Sequence, residues 1–107
     1  MSNQMRIIGL IPAYNEANMI ESVVEKTKKF VDTVLVVDDG SADNTGIIAE
    51  RAGAVVIRNR KNLGLGRTMR KGYVHARKMG ADIVVQLDAD MQYDPSEIPV
   101  LIEPIVA

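Results

Sequence analysis

Apolar residues recur along this chain in two alternating rhythms. Residues 6–12 read R-I-I-G-L-I-P, a continuous apolar run closed by proline. Such a run predicts a parallel strand buried on both faces. From residue 16 to residue 30 the apolar positions spread to Ile20, Val23, Val24, Thr27 and Phe30, with Glu21, Glu25, Lys28 and Lys29 between them. That spacing is helical, one face for a core and one for water. Residues 33–37 (T-V-L-V-V) predict a second strand, broken by Asp38-Asp39-Gly40-Ser41. Asp43-Asn44-Thr45 then offers capping side chains to a second helix that ends near Gly53. Residues 54–57 form a short third strand. Residues 58–67 contain Asn62, Gly64 and Gly66 and read as a loop feeding a third helix. Leu65, Met69, Tyr73 and Ala76 mark that helix's apolar stripe, and Gly80 closes it. Residues 82–87 (D-I-V-V-Q-L) predict a fourth strand. Asp94-Pro95-Ser96-Glu97 has the form of a capping box with proline at the first helical position, so a last helix follows, weakened by Pro99 and Pro104.

Strands alternating with helices predict an α/β fold, a mainly parallel four-stranded Rossmann-like sheet with helices on both faces. Composition narrows what it does. At 107 residues there is room for one domain, and 47% hydrophobic with 25% charged residues excludes a disordered chain. The absence of cysteine removes disulfides, thiolate metal sites and thiol nucleophiles. A net charge of −1 gives bulk electrostatics no pull toward nucleic acid or a membrane. No apolar run approaches the length of a bilayer span, and residues 1–6 lack a signal-peptide stretch.

In a parallel sheet, ligands bind beyond the carboxyl ends of the strands. Pro12-Ala13-Tyr14-Asn15-Glu16 follows the first strand, Asp38-Asp39 the second, a basic glycine-bearing loop the third, and Asp88-Ala89-Asp90-Met91-Gln92 the fourth. Five acidic residues, Glu16, Asp38, Asp39, Asp88 and Asp90, thus gather at one edge, where like charges call for a cation or a donor-rich ligand. If the chain stays extended past the fourth strand, Asp88, Asp90 and Gln92 share one side and present oxygen ligands suited to Mg²⁺ or Mn²⁺. The bland alternative is a solvated acidic turn. Asp94 reads as a helix cap. One aspartate of the 38–39 pair could accept from a ribose hydroxyl or a base N–H, or the pair could be an Asp-Gly turn. Tyr14 could stack on a nucleobase, with Glu16 on a ribose hydroxyl, or Tyr14 could be partial core. Residues 58–78 hold eight basic residues and no acidic one. Arg58, Arg60, Lys61 and Arg67 lie where a diphosphate could be met, whereas Arg70, Lys71, Arg77 and Lys78 read as a solvated helix face. Gly64-Leu65-Gly66 is neither a dinucleotide fingerprint nor a phosphate loop.

In order, I-P-A-Y-N-E (11–16), V-V-D-D-G-S-A-D-N-T (36–45), N-L-G-L-G (62–66) and L-D-A-D-M-Q-Y-D-P (87–95) resemble the inverting family-two glycosyltransferases with a GT-A fold. The last stretch is most similar to the polyprenyl-phosphate branch, the dolichol-phosphate mannosyltransferase-like enzymes. The resemblance implies a nucleotide-diphosphate-sugar donor (GDP- or UDP-sugar), a divalent metal (Mg²⁺ or Mn²⁺) and a lipid-phosphate acceptor. It implies work in the cytoplasm, at the cytoplasmic face of a membrane. Carried over by position, Pro12, Tyr14 and Glu16 contact the nucleoside, and Asp39 holds base or ribose with Asp38 beside it. Asp88 and Asp90 bind the metal–diphosphate, with Gln92 a third ligand. Such enzymes continue well beyond D-x-D into an acceptor half that supplies the general base. Residues 1–107 are therefore expected to be the N-terminal donor-binding part, weak or inactive by itself, and no base is named.

The competing reading is a non-catalytic homologue, a nucleotide-binding or interaction module that self-associates through the apolar last helix. A sugar nucleotidyltransferase would need a glycine-rich loop where residues 12–16 stand. A receiver domain would need an aspartate where Arg58-Asn59-Arg60 stands.

Overall fold

Ile8, Leu10 and Ile11 are fully buried, as a strand with neighbours on both sides requires. They belong to β1 (Ile7–Ala13), the first element of a computed structural model that describes residues 5–89. There follow α1 (Ile20–Thr27), β2 (Thr33–Asp38), α2 (Thr45–Arg51), β3 (Val55–Arg58), α3 (Leu65–Lys78) and β4 (Ile83–Gln86). The alternation expected from the sequence is the one observed. The last predicted helix, and with it the proposed surface for self-association, lies outside the described residues.

The four strands are parallel and ordered β3-β2-β1-β4. β1 pairs with β2 from Ile8↔Thr33 to Ala13↔Asp38, and with β4 from Ile7↔Ile83 to Leu10↔Gln86. Strand alternation divides the core in two. Ile11, Val34, Val36 and Val85 pack with Ile20, Val23 and Val24 of α1, with Ala49 of α2 and with Ala52 just after it. Ile8, Leu10, Leu35 and Val37 pack with Met69 and Ala76 of α3. Helices therefore cover both faces. The chain steps outward from β1 to β3 and then returns to the far side of β1, so the crevice of this topology opens above β1.

Two elements differ from expectation. α1 starts at Ile20, four residues late. The backbone N–H groups of Glu16 and Ala17 go instead to Thr45 Oγ1 (2.9 Å) and Asp43 Oδ2 (3.2 Å). Residues 16–19 form a turn tied to the loop before α2 and closed by the Ile20 N–H on the Glu16 carbonyl (2.9 Å).

The stripe of α3 is also rotated. Its buried residues are Thr68, Met69, Gly72 and Ala76, while Leu65 is 63% and Tyr73 43% exposed. Gly72 is the reason. A Cβ on it would lie 2.6 Å from Leu10 Cδ1 and 3.2 Å from Val37 Cγ2. The helix seats its barest position on the sheet, Tyr73 moves to the flank with its hydroxyl on Gln86 Oε1 (3.4 Å), and Leu65 faces a surface cleft at the helix start. No helix among the described residues is long and apolar enough to cross a membrane.

Close approach at Gly72 yields a test. Gly72→Val forces two methyls into the filled space around Leu10. We expect a loss of about 1–3 kcal/mol, read as a lower urea midpoint at unchanged slope.

Candidate nucleotide site

Asp38 and Asp39 are adjacent, so the pleat sends their side chains to opposite faces of the sheet. Asp38 shares parity with Val34 and Val36 and turns toward α2. Its carboxylate is fully buried. Oδ1 accepts from the Ser41 N–H (3.0 Å), and Arg58 Nε approaches Oδ2 at 3.9 Å. Oδ2 accepts no hydrogen bond among the described residues and faces Gly46, where a Cβ would stand 2.8 Å away. In this arrangement Asp38, expected beside the nucleotide, lies beneath the loop behind the cleft and holds the Ser41 amide.

Asp39 shares parity with Leu35 and Val37 and turns toward α3. Oδ1 accepts from Asn59 Nδ2 (2.9 Å) and the Leu63 N–H (2.7 Å), and Oδ2 accepts from the Gly64 N–H (3.0 Å). Burial pushes the Asp39 pKa up. The Leu63 N–H, the Asn59 amide, the Thr68 hydroxyl and the Gly64 N–H together outweigh burial and hold it below the ordinary aspartate value. Asn59 is itself buried, and its carbonyl oxygen accepts from Lys71 Nζ at 2.8 Å. A chain of contacts thus runs from Lys71 through Asn59 and Asp39 to the amides of residues 63 and 64. Lys71 is a working partner, not part of a bare solvated face. Neither Asn59 nor Thr68 stood out in the sequence, because nothing local marks a polar residue whose partner lies on another strand.

A second set of bonds joins the loops after β1 and β2. The Asn15 N–H donates to Ser41 Oγ (2.8 Å), and Asn15 Oδ1 accepts from the Ala42 N–H (2.8 Å). Asn15 adopts φ 54°, a left-handed backbone that asparagine tolerates. Asp43 accepts from both the Thr45 N–H (3.0 Å) and the Thr45 hydroxyl, as well as from Ala17. The Thr45 hydroxyl holds the Asp43 pKa down despite some burial, assisted by the backbone donors. Asn44, at the N-cap of α2, makes no side-chain capping bond. The expected caps thus work across loops instead.

These clamps frame an open cleft of about 280 Å³ lined by Pro12, Ala13, Tyr14, Asp39, Asn62, Gly64, Leu65 and Thr68. Of the residues expected from the sequence, it joins Pro12, Tyr14 and Asp39. Tyr14 is 48% exposed, so its ring is available rather than core. Glu16 is half-buried and does not line the cleft, and Arg67 lies exposed in the first turn of α3. Gly64 precedes that turn at φ 94°, and a Cβ on either Gly64 or Gly66 would meet nothing within 4 Å. The helix therefore begins with Leu65 between two glycines, and its first N–H groups are unpaired inside the helix.

Leu87 still donates its N–H to the Leu10 carbonyl (3.0 Å), so Asp88 emerges beside the end of β1, half-buried. Asp88 has no hydrogen bond or ion pair among the described residues. Ala89 already turns, so an extended run does not explain how Asp88 and Asp90 would share an ion. Asp90 and Gln92 lie outside the described residues. Within the described residues, no three His, Cys, Asp or Glu side chains are grouped to hold a metal. Asp88 nonetheless fits a hard divalent cation in kind: a carboxylate at the crevice whose charge nothing described offsets.

Residues 10–107 match the family described as glycosyl transferase family 2. The chain belongs to that family. It is 35% identical over 115 residues to UDP-N-acetylglucosamine–dolichyl-phosphate N-acetylglucosaminyltransferase of Methanococcus voltae, covering 91% of this chain and 46% of that one. It is 34% identical over 109 residues to undecaprenyl-phosphate mannosyltransferase of Micrococcus luteus, covering 94% and 44%. Among solved structures it is similar to glucosyl-3-phosphoglycerate synthase from Mycobacterium tuberculosis in complex with Mn²⁺, UDP and glucosyl-3-phosphoglycerate. There the TM-score is 0.78 at 30% identity, over 94% of this chain and 39% of the other. The chain spans less than half the length of each of these proteins.

The Asp39 clamp predicts acid sensitivity. Its pKa, like that of Asp43, is lower folded than unfolded, so its contribution is complete above about pH 4 and is lost as pH falls through the folded value. Asp39→Asn replaces an anion accepting several donors by a neutral amide. We expect a loss of about 1.5–3 kcal/mol at neutral pH and a shallower acid limb, both read by urea unfolding across a pH series.

Proposed function

We propose that this glycosyl transferase family 2 chain is the donor-binding part of an inverting transferase, taking a nucleotide-diphosphate-sugar with Mg²⁺ or Mn²⁺ for transfer to a polyprenyl-type lipid phosphate. The observation that carries the proposal is the cleft itself. It sets an exposed aromatic ring, a fixed carboxylate and a glycine-flanked helix N-terminus around one volume, with Asp88 emerging beside the same strand end.

The nucleoside lies on Pro12 and Tyr14, the base stacked on the phenol ring. Asp39 forms the floor. Its clamp keeps the 63–64 amides in place, and its cleft-facing edge receives a base N–H or ribose hydroxyl. Glu16 stands beyond the turn, toward the ribose. The diphosphate runs toward the first turn of α3, where unpaired N–H groups and the positive end of the helix dipole favour an anion and Arg67 adds charge. Asp88, with Asp90 and Gln92, holds the metal. When bound, the metal neutralises charge that grows on the departing nucleoside diphosphate. Uridine is the better-supported nucleoside, since the similar synthase was solved with UDP. The lipid-phosphate acceptor is supported by the names of the M. voltae and M. luteus relatives. The acceptor hydroxyl's base is assigned to no residue of this chain.

Calorimetric titration with UDP and GDP, with and without Mn²⁺, tests the reading. We expect Mn²⁺-dependent binding of UDP. Asp88→Ala should weaken the Mn²⁺-dependent part at least about tenfold. Tyr14→Ala should cost about 1–3 kcal/mol of binding. Absence of binding by the wild type, or full binding by Asp88→Ala, contradicts the proposal.

A further inference from the structure

The rotation that buries Gly72 leaves an outward face on α3 that the donor site does not use. Arg70, Val74, Arg77 and Lys78 follow one another at helical spacing opposite the buried stripe, and all four are exposed. α3 contains no acidic residue, whereas α1 carries Glu21 and Glu25 and α2 carries Glu50. Apolar surface accompanies the charge. Val74, in the middle of the face, is 50% exposed, and Tyr73 at its flank is 43% exposed with its hydroxyl on Gln86 Oε1 at 3.4 Å.

We propose that the outward face of α3 docks on an anionic lipid surface and brings the donor cleft to the membrane that holds the acceptor. The inference rests on the lipid-phosphate reading above. A net charge of −1 hides this surface, because the acids that balance it lie on other elements. A purely electrostatic partner such as nucleic acid would need only the arginines and lysine. Half-exposed Val74 among them, with the Tyr73 ring at the flank, suits an interface with headgroups outside and acyl chains beneath, where basic side chains extend to phosphates and an apolar one enters.

The test is co-sedimentation of the chain with vesicles of equal parts phosphatidylglycerol and phosphatidylcholine, and with phosphatidylcholine alone. Binding is expected only to the anionic vesicles, weakening as salt rises. Arg70→Glu/Arg77→Glu should reduce it at least about tenfold, and Val74→Ser severalfold, with melting temperature unchanged. Both variants should keep wild-type UDP affinity, since neither residue lies in the cleft. Failure of anionic vesicles to bind, equal binding by the charge-reversed variant, or tighter binding to a short oligonucleotide would overturn the docking surface. UDP binding reports separately on the donor-site reading, so the two failures are distinguishable.

Discussion

The site depends on one carboxylate. Asp39 stands where β2 ends and accepts hydrogen bonds from a loop more than twenty residues further along, at Leu63 and Gly64, and from Asn59 at the end of β3. Without those bonds the half-buried amides of Leu63 and Gly64 would lose their acceptor. A buried donor without a partner costs more than an ordinary hydrogen bond gains. The Asp39 contacts therefore place the start of α3, and the start of α3 makes one wall of the cleft. Lys71 reaches back from α3 to Asn59, so the helix also braces the residue that braces its own entry loop.

The fold makes this arrangement possible without strain elsewhere. Parallel pairing lines up the ends of β1 and β2, and the return of β4 to the other side of β1 opens a crevice there. Pleating then assigns the adjacent aspartates different tasks. Asp38 secures the 41–46 loop from one side of the sheet, and Asp39 secures the 59–64 loop from the other. The Asn15–Ser41 and Asn15–Ala42 bonds tie the remaining loop in, which fixes Tyr14 at the rim. The result is a binding edge whose loops are held by polar contacts rather than by apolar burial.

The strands were legible because a buried parallel strand needs a continuous apolar run, and residues 7–13 and 33–37 have one. The edge that bears the chemistry was legible because the polar clusters follow those runs. The rest needed tertiary contacts. Leu65 and Tyr73 fit a helical stripe, but Gly72, which carries no apolar signal, decides which face meets the sheet. Asp43 and Thr45 have the residue types of a helix cap, yet their donors include the chain after β1. Asn59 and Thr68 read as loop and helix polars until Asp39 is placed between them. Asp38 and Asp39 are indistinguishable as letters, and only the pleat tells which one faces the cleft.

The acid-free segment at residues 58–78 shows a related limit of reading by composition. Its charges divide by position into three uses: Lys71 turned inward to Asn59, Arg67 at the helix start, and Arg70, Arg77 and Lys78 outward. A whole-chain charge cannot separate them.

The central claim is that the cleft between the ends of β1 and β2 and the start of α3 receives the nucleotide. The most direct measurement is nuclear magnetic resonance of the ¹⁵N-labelled chain titrated with UDP and Mg²⁺. The amide signals of Ala13, Tyr14, Leu63, Gly64, Leu65 and Gly66 should move together and saturate, while those of Met5, Phe30 and Val31 at the opposite end of the sheet stay in place. Saturating shifts confined to that opposite end, or none anywhere, would contradict it.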